Sequence, residues 1–269
     1  MKAGRAVAPL IRAWALCTML ALSSSHASAS DVEDTIARVK RSVVAVGTFE
    51  RTRSPQFQFR GSGFAVGTGA TIATNAHVLP AKLNEAGREA LAVLLPGATP
   101  EAAQVRLVTE SALDEGSDLA LLELAGAPLP PLVLHDPSSV REGQQVLITG
   151  FPLGAVLGAI PVTHRGMISA ITPIAIPQAR AAQLDPAVIH RLSSGSFTVF
   201  QLDATAYPGN SGSPLYDPLT GKVFGIVNMV FVKSTKESVL AQPSGITYAI
   251  PASHLDTLLR ETGDRATRR

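Results

Sequence analysis

From Val43 onward the chain alternates between short apolar runs rich in Val, Ile and Leu and breaks made of Gly, Pro and Asn. The clearest runs fall at 43–49, 63–66, 71–74, 91–95, 105–109 and 119–124, then at 146–151, 166–171, 198–202, 222–227 and 246–250. Runs of four to eight apolar residues bounded by turn formers suit strands. Many in succession, without regular helices between them, predict an all-β barrel or sandwich. Three stretches depart from this pattern. Residues 31–41 read as a short helix, with acids in the first turn and Lys40 and Arg41 in the last. Asp185-Pro186 opens a helix over 187–192, an acid at the N-cap and a proline at the first helical position. Residues 253–259, after Pro251, read as a closing C-terminal helix. The prolines at 128, 130, 131 and 137 mark 125–139 as a crossover between two halves. No internal repeat or long linker interrupts the pattern.

The N-terminus is different in kind. Residues 1–12 carry Lys2, Arg5 and Arg12 and no acid; an apolar run over 13–22 follows, then serines and the triplet Ala27-Ser28-Ala29. A basic start, a short apolar middle and an Ala-x-Ala end compose a secretory signal peptide. Ten apolar residues fall well short of the roughly 20 that span a bilayer as a helix. Residues 1–29 are therefore expected to be removed after Ala29 rather than kept as an anchor, giving an exported protein, periplasmic or secreted and without a membrane segment. Removing three basic residues changes the formal net charge from +2 to −1. No basic stripe suggests nucleic acid, and residues 261–269 read as a solvated basic tail. The one cysteine, Cys17, lies in the leader, so the mature chain is expected to hold no disulfide, no thiol nucleophile and no cysteine zinc site. About 240 residues suffice for a core of one large β domain or two half-domains over 30–260.

Candidate chemistry begins at Tyr207-Pro208-Gly209-Asn210-Ser211-Gly212-Ser213-Pro214. Glycines beside a serine let the backbone bend sharply, exposing the hydroxyl and letting main-chain N–H groups converge where an oxyanion would form. The candidate hole is Gly209, Asn210 and Ser211, with the N–H groups of Gly209 and Ser211 as donors. A serine hydroxyl needs an adjacent base. Of five histidines beyond the leader, His77 alone sits at the mouth of a strand in Thr74-Asn75-Ala76-His77-Val78, where its ring can face a cleft. His135, His164, His190 and His254 have no companion motif and read as structural. A carboxylate must orient the base. Asp118 in Ser117-Asp118-Leu119-Ala120-Leu121 stands at the entry of an apolar strand, where a buried carboxylate needs a dedicated partner. Asp203 is the rival, read as an acceptor for local N–H groups.

Taken together these segments resemble the trypsin-like serine proteases, and within them the bacterial heat-shock-protease (Deg) group. The resemblance rests on Gly61-Ser62-Gly63-Phe64, Thr74-Asn75-Ala76-His77-Val78, Asp118-Leu119-Ala120-Leu121, Pro208-Gly209-Asn210-Ser211-Gly212, Gly225-Ile226-Val227-Asn228 and Tyr248-Ala249-Ile250-Pro251, in the order His, Asp, Ser. It implies two antiparallel six-stranded β-barrels with the site between them. It also implies hydrolysis of protein or peptide substrates through an acyl-enzyme, with His77, Asp118 and Ser211 as triad and no metal or cofactor. Deg proteases usually continue into PDZ domains; too few residues follow 260 to form one, so a form without it is expected, with a monomer as default and a trimer built on the N-terminal helix as the alternative. Gly-Asn-Ser-Gly-Ser-Pro also resembles the glutamyl endopeptidase branch, but Val227 stands where that branch has a substrate-binding histidine. Thr205, six residues before Ser211, stands where trypsin has an acid. With Val227, Asn228, Met229 and Val230, it implies a small or medium apolar residue at P1. Asn210 stands where many relatives pair an aspartate with a freshly cut N-terminus, so activity without such a cut is expected. Two other readings compete: a resting, chaperone-like peptide binder on a protease fold, and an esterase using the same acyl chemistry.

Overall fold

A computed structural model describes residues 27–97, 99, 102–136, 139–152, 160–173, 198–205, 207–228 and 246–267. The first barrel contains β1 (Val43–Phe49), β2 (Phe57–Val66), β3 (Thr71–Thr74), β4 (Ala90–Leu95), β5 (Gln104–Asp114) and β6 (Leu119–Leu124). The second contains β7 (Gln145–Gly150), β8 (Val162–Pro173), β9 (Thr198–Asp203), β10 (Pro214–Tyr216), β11 (Val223–Asn228) and β12 (Ile246–Pro251). Both close: the neighbour orders are β1-β2-β3-β6-β5-β4 and β10-β11-β12-β9-β8-β7, every pairing antiparallel. This is the chymotrypsin-like double barrel. Helix α1 (Ala27–Lys40) precedes it and α2 (Ala252–Thr267) closes it.

Burial on both faces explains why β1, β3, β6, β7 and β11 read as unbroken apolar runs. Alternate side chains of a strand point to opposite faces. Along β1, Val44 and Val46 enter the first barrel with Ala65, Ile72, Val93 and Leu122. Val43 and Ala45 point the other way, into a cluster with Phe64, Leu119, Phe151, Tyr216 and Ile226 that joins the barrels. The second barrel encloses Val146, Ile148, Ile168, Phe200, Leu202, Leu215 and Phe224. Helix α1 turns Val32, Thr35, Ile36 and Val39 inward, the 3–4 spacing of one helical face. Its Thr35 Oγ1 donates to Leu219 O at 2.8 Å and Arg38 Nη2 to Thr220 O at 3.0 Å. The segment between β6 and β7 bonds to the first barrel at Leu132 N–H to Ala65 O (2.8 Å), then to the second at His135 N–H to Val223 O (2.8 Å).

The departures from the sequence reading have local causes. Pro214–Tyr216 forms a three-residue strand too short for a periodicity to register. β8 extends from the expected 166–171 back to Val162 through half-exposed Thr163 and His164, and β2 back to Phe57 through exposed Gln58 and Arg60. Helix α1 begins at Ala27, inside the expected cleavage triplet, so Asp31 and Glu33 fall in its second turn. The rest of the expected leader, the helix over 187–192 and the last two residues of the basic tail lie outside the described residues. Among the described residues no helix is long and apolar enough to cross a membrane.

One polar cluster braces the loop between β3 and β4. Glu89 accepts from Thr48 Oγ1, from Asn84 N–H at 2.9 Å and from Arg53 Nη1 at 2.7 Å, tying the end of β1 to the loop before β4. These bonds, Thr48's first, hold its carboxyl down at about 2, below the usual 4.5. A depressed folded pKa adds stability above the unfolded value, and that gain fades as pH falls through 4.5 towards 2. Glu89→Gln is therefore expected to lower Tm at pH 7 and to leave it unchanged near pH 2, as thermal melts across that range would register.

Candidate active site

His77 is placed where a strand gives way to a single 3₁₀ turn. β3 ends at Thr74, Asn75 stays extended, and Ala76–Val78 make one 3₁₀ turn. The turn is held from outside. Ala76 N–H and Asn75 Nδ2 both donate to Asp118 O, at 3.1 and 3.0 Å. Arg60 Nε donates to Val78 O at 2.6 Å, and its Nη2 to Leu79 O at 3.3 Å. A charged donor on these carbonyls makes a stronger bond than a neutral one.

Asp118 has φ of +55°, a left-handed conformation uncommon outside glycine. Such a backbone costs about 1–3 kcal/mol and persists where its surroundings hold it; here Asn75 and Ala76 grip its carbonyl. The side chain is buried at 7 % exposure. Oδ1 accepts His77 N–H at 2.9 Å; Oδ2 lies 2.7 Å from His77 Nδ1 and 2.7 Å from Asn228 Nδ2. A carboxylate only accepts, so Nδ1 carries its hydrogen and Nε2 presents a lone pair. Nε2 lies 3.0 Å from Ser211 Oγ. The imidazole keeps 31 % exposure, so it opens to the cleft while its carboxylate partner does not.

The Ser211 loop uses two glycines for conformation and close approach. Gly209 has φ +104°, and a Cβ there would meet Phe151 O at 2.4 Å; Gly212 has φ +86°, and its Cβ would meet Ser62 O at 2.0 Å. Within the loop, Asn210 N–H donates to Tyr207 O and Ser213 N–H to Asn210 O, both at 3.0 Å. Of the expected oxyanion residues, Asn210 thus spends its N–H closing a turn. Gly209 N–H, among the described residues, has no protein acceptor. The Asn210 carboxamide is fully buried, and among the described residues neither of its polar atoms has a hydrogen-bond partner.

The structure brings His77, Asp118 and Ser211 together and distributes the remaining candidates. Thr205 is exposed. Val227 is fully buried in the second barrel's core. Asn228 is fully buried behind Asp118 and donates to that carboxylate. Met229 and Val230 lie outside the described residues, as does His190. Asp203 is exposed at the end of β9. His135 bonds Asp136 O and Ser139, and His254 Nδ1 lies 3.3 Å from Ser117 Oγ. Burial pushes His164 and His254 below the usual histidine range, with Asp114 opposing the shift at His254. Sequence reasoning missed Asn228 as the bracket of Asp118, along with Ser62, Asn75 and Arg60. Each lay within or beside a quoted motif, but no single-sequence signal says which side chain a strand's end will face. Hydrogen bonds to charged groups contribute roughly 1.5–3 kcal/mol. Asn228→Leu, similar in volume and without the donor, is expected to lower kcat roughly tenfold or more with KM little changed, as steady-state kinetics on a peptide substrate would show.

A family model described as a trypsin-like peptidase domain matches residues 61–226. Curated proteins are similar over most of the chain. "Serine protease HTRA1B" of Danio rerio is 30% identical over 210 residues, covering 76% of this chain and 35% of that protein. "Probable periplasmic serine endoprotease DegP-like" of Halomonas elongata is 32% identical over 191 residues, covering 71% of this chain and 32% of that protein. The chain thus spans about a third of the length of these relatives. Among solved structures, the active form of the Rv3671c protease from M. tuberculosis superposes with a TM-score of 0.61 at 21% identity, over 88% of this chain and 87% of that one. That likeness is one of fold.

Proposed function

The chain belongs to the trypsin-like peptidase family, and on that premise we propose that it is a serine endopeptidase working through an acyl-enzyme, with His77, Asp118 and Ser211 as its triad. The observation that carries this reading is the continuous bond chain from Asp118 Oδ2 through His77 Nδ1 and Nε2 to Ser211 Oγ, at 2.7 and 3.0 Å. Ser211 Oγ attacks the peptide carbonyl as His77 Nε2 takes its proton. Charge developing on the carbonyl oxygen is met by the N–H groups of Gly209 and Ser211. His77 then returns the proton to the leaving amine, and the C–N bond breaks. Water, deprotonated by the same nitrogen, releases the acyl group and restores the serine. Asp118 stays ionised throughout and stabilises the imidazolium.

Three finer readings accompany this one. The uncharged Thr205, and a valine rather than a substrate-binding histidine at 227, support a small or medium apolar P1 residue; a peptide-library profile led by Arg, Lys or Glu at P1 would falsify it. Asn210, uncharged and buried, offers no carboxylate for a newly cut N-terminus, which supports activity without such a cut. The leader-like residues 1–29, and relatives named as periplasmic, support export. The test of the main reading is digestion of an unfolded protein such as reduced casein, followed by mapping of the new N-termini. Cleavage by the wild type and none by Ser211→Ala is expected. Folded wild type that leaves casein intact would favour a peptide-binding role, and cleavage of esters alone would favour an esterase.

A further inference from the structure

We propose that Ser62 is a positioning residue whose hydroxyl sets the oxyanion hole, an inference that rests on the serine-hydrolase reading of Ser211. Ser62 lies in β2 of the first barrel and is fully buried. Its Oγ accepts Phe151 N–H at 2.9 Å, which leaves its own hydrogen to donate to Gly209 O at 2.7 Å. That direction is obligatory, because a carbonyl oxygen only accepts. Its main-chain N–H donates to Ser211 O at 2.8 Å, and its own carbonyl accepts Thr74 Oγ1–H at 2.7 Å. One residue thus ties the loop of Ser211 to the strand leading into His77 and to the second barrel at Phe151.

The peptide planes of the loop show what the hydroxyl controls. The Gly209–Asn210 plane is pinned at both ends, its oxygen by Ser62 Oγ–H and its N–H by Tyr207 O. The Asn210–Ser211 plane is pinned through Asn210 O by Ser213 N–H. The Ser211–Gly212 plane is held by Ser62 N–H on one side and Val227 O on the other. The Pro208–Gly209 plane, which carries the donor N–H of Gly209, depends on its neighbour and on φ +104° at Gly209. A glycine turns easily about its backbone bonds, so an unpinned Gly209 carbonyl would let that N–H swing out of the hole. The other bonds that pin these peptide planes run from main chain to main chain; that of the Ser62 hydroxyl is a side-chain bond, and substitution can remove it.

The probe is diisopropyl fluorophosphate, which phosphorylates an active serine and places its P=O in the oxyanion hole without needing a known substrate. Losing an oxyanion donor costs about 10²–10³ in rate; misplacing one should cost less. Ser62→Ala is expected to label Ser211 roughly 10- to 100-fold more slowly than wild type. Its downfield proton resonance from His77 Nδ1–H should remain, showing an intact His77–Asp118 pair. Thr35→Val, which removes another buried hydroxyl bonded to a carbonyl (Leu219 O) on α1, should lower Tm and leave the labelling rate alone. Ser62→Cys, of similar shape with a weaker donor, should fall between wild type and Ser62→Ala, and carries the test if the alanine variant fails to fold. Ser62→Ala labelling at the wild-type rate, or slowing only together with loss of the downfield resonance, would overturn the proposal. Wild type that does not label at all would overturn the serine-hydrolase reading and this inference with it.

Discussion

Replacing Asp118 by asparagine is expected to lower kcat by about 10⁴-fold while the protein stays folded. Asparagine is nearly isosteric and is among the residues that tolerate a left-handed backbone, so φ of +55° is no obstacle. The bonds to the main-chain carbonyl from Asn75 and Ala76 also survive. The side chain is where the fit fails. Oδ2 accepts from two donors, His77 Nδ1 and Asn228 Nδ2, and Oδ1 accepts from a third, His77 N–H. With its NH₂ at the Oδ2 position, asparagine would face Asn228 donor to donor and would hand a hydrogen to His77 Nδ1. The imidazole would then carry its hydrogen on Nε2, towards Ser211, and could not take the serine's proton. With the amide reversed, its NH₂ would oppose the His77 main-chain N–H. Either orientation leaves a buried donor unmatched, at about 1–3 kcal/mol. Steady-state kinetics beside a thermal melt checks both halves: a large fall in kcat with a small fall in Tm.

Larger still is the effect expected at Ser211 and His77, about 10⁶-fold in kcat for alanine at either position. The two losses should not add. At 3.0 Å the hydroxyl and Nε2 act as one unit, so removing the base leaves a poor nucleophile and removing the nucleophile leaves a base with nothing to activate. The double variant is expected to be no slower than the worse single variant within a few fold. Independent contributions would instead multiply, and a further fall of several orders of magnitude would show that the residues do not cooperate. Residual turnover above the uncatalysed rate in all three variants would report what Gly209 and Ser211 N–H groups achieve by themselves.

Much of this was legible because the chain states it locally. β1, β3 and β6 are buried on both faces, and β3 and β6 are also bounded by turn formers, so their runs stand out. Pro214–Tyr216 carries no such run, the polar start of β2 faces outward, and that of β8 is half-buried through Thr163 and His164, so hydrophobicity gives no cue to either. The residues of the three motifs could be named from their positions at strand ends and at a glycine-flanked turn. Their brackets could not. Asn228 reaches Asp118 across 110 residues of sequence and Ser62 reaches Gly209 across 147. Both contacts depend on how two closed barrels meet, and sequence spacing says nothing about that. Asn228 ends a strand of the second barrel, and burial there places its amide against the Asp118 carboxylate of the first.

The same interface explains why the site needs both barrels. His77 and Asp118 come from the first and Ser211 from the second, and each barrel sends a bracket to the other: Asn228 to Asp118, Ser62 to Gly209. The most direct test of the acyl-transfer chemistry is intact-mass analysis of the folded protein after incubation with a fluorophosphonate, with peptide mapping of any adduct. One phosphonyl group on Ser211 in the wild type, and none in Ser211→Ala or His77→Ala, is the expected result. A folded wild type that gains no mass, or gains it on a residue other than Ser211, would contradict it.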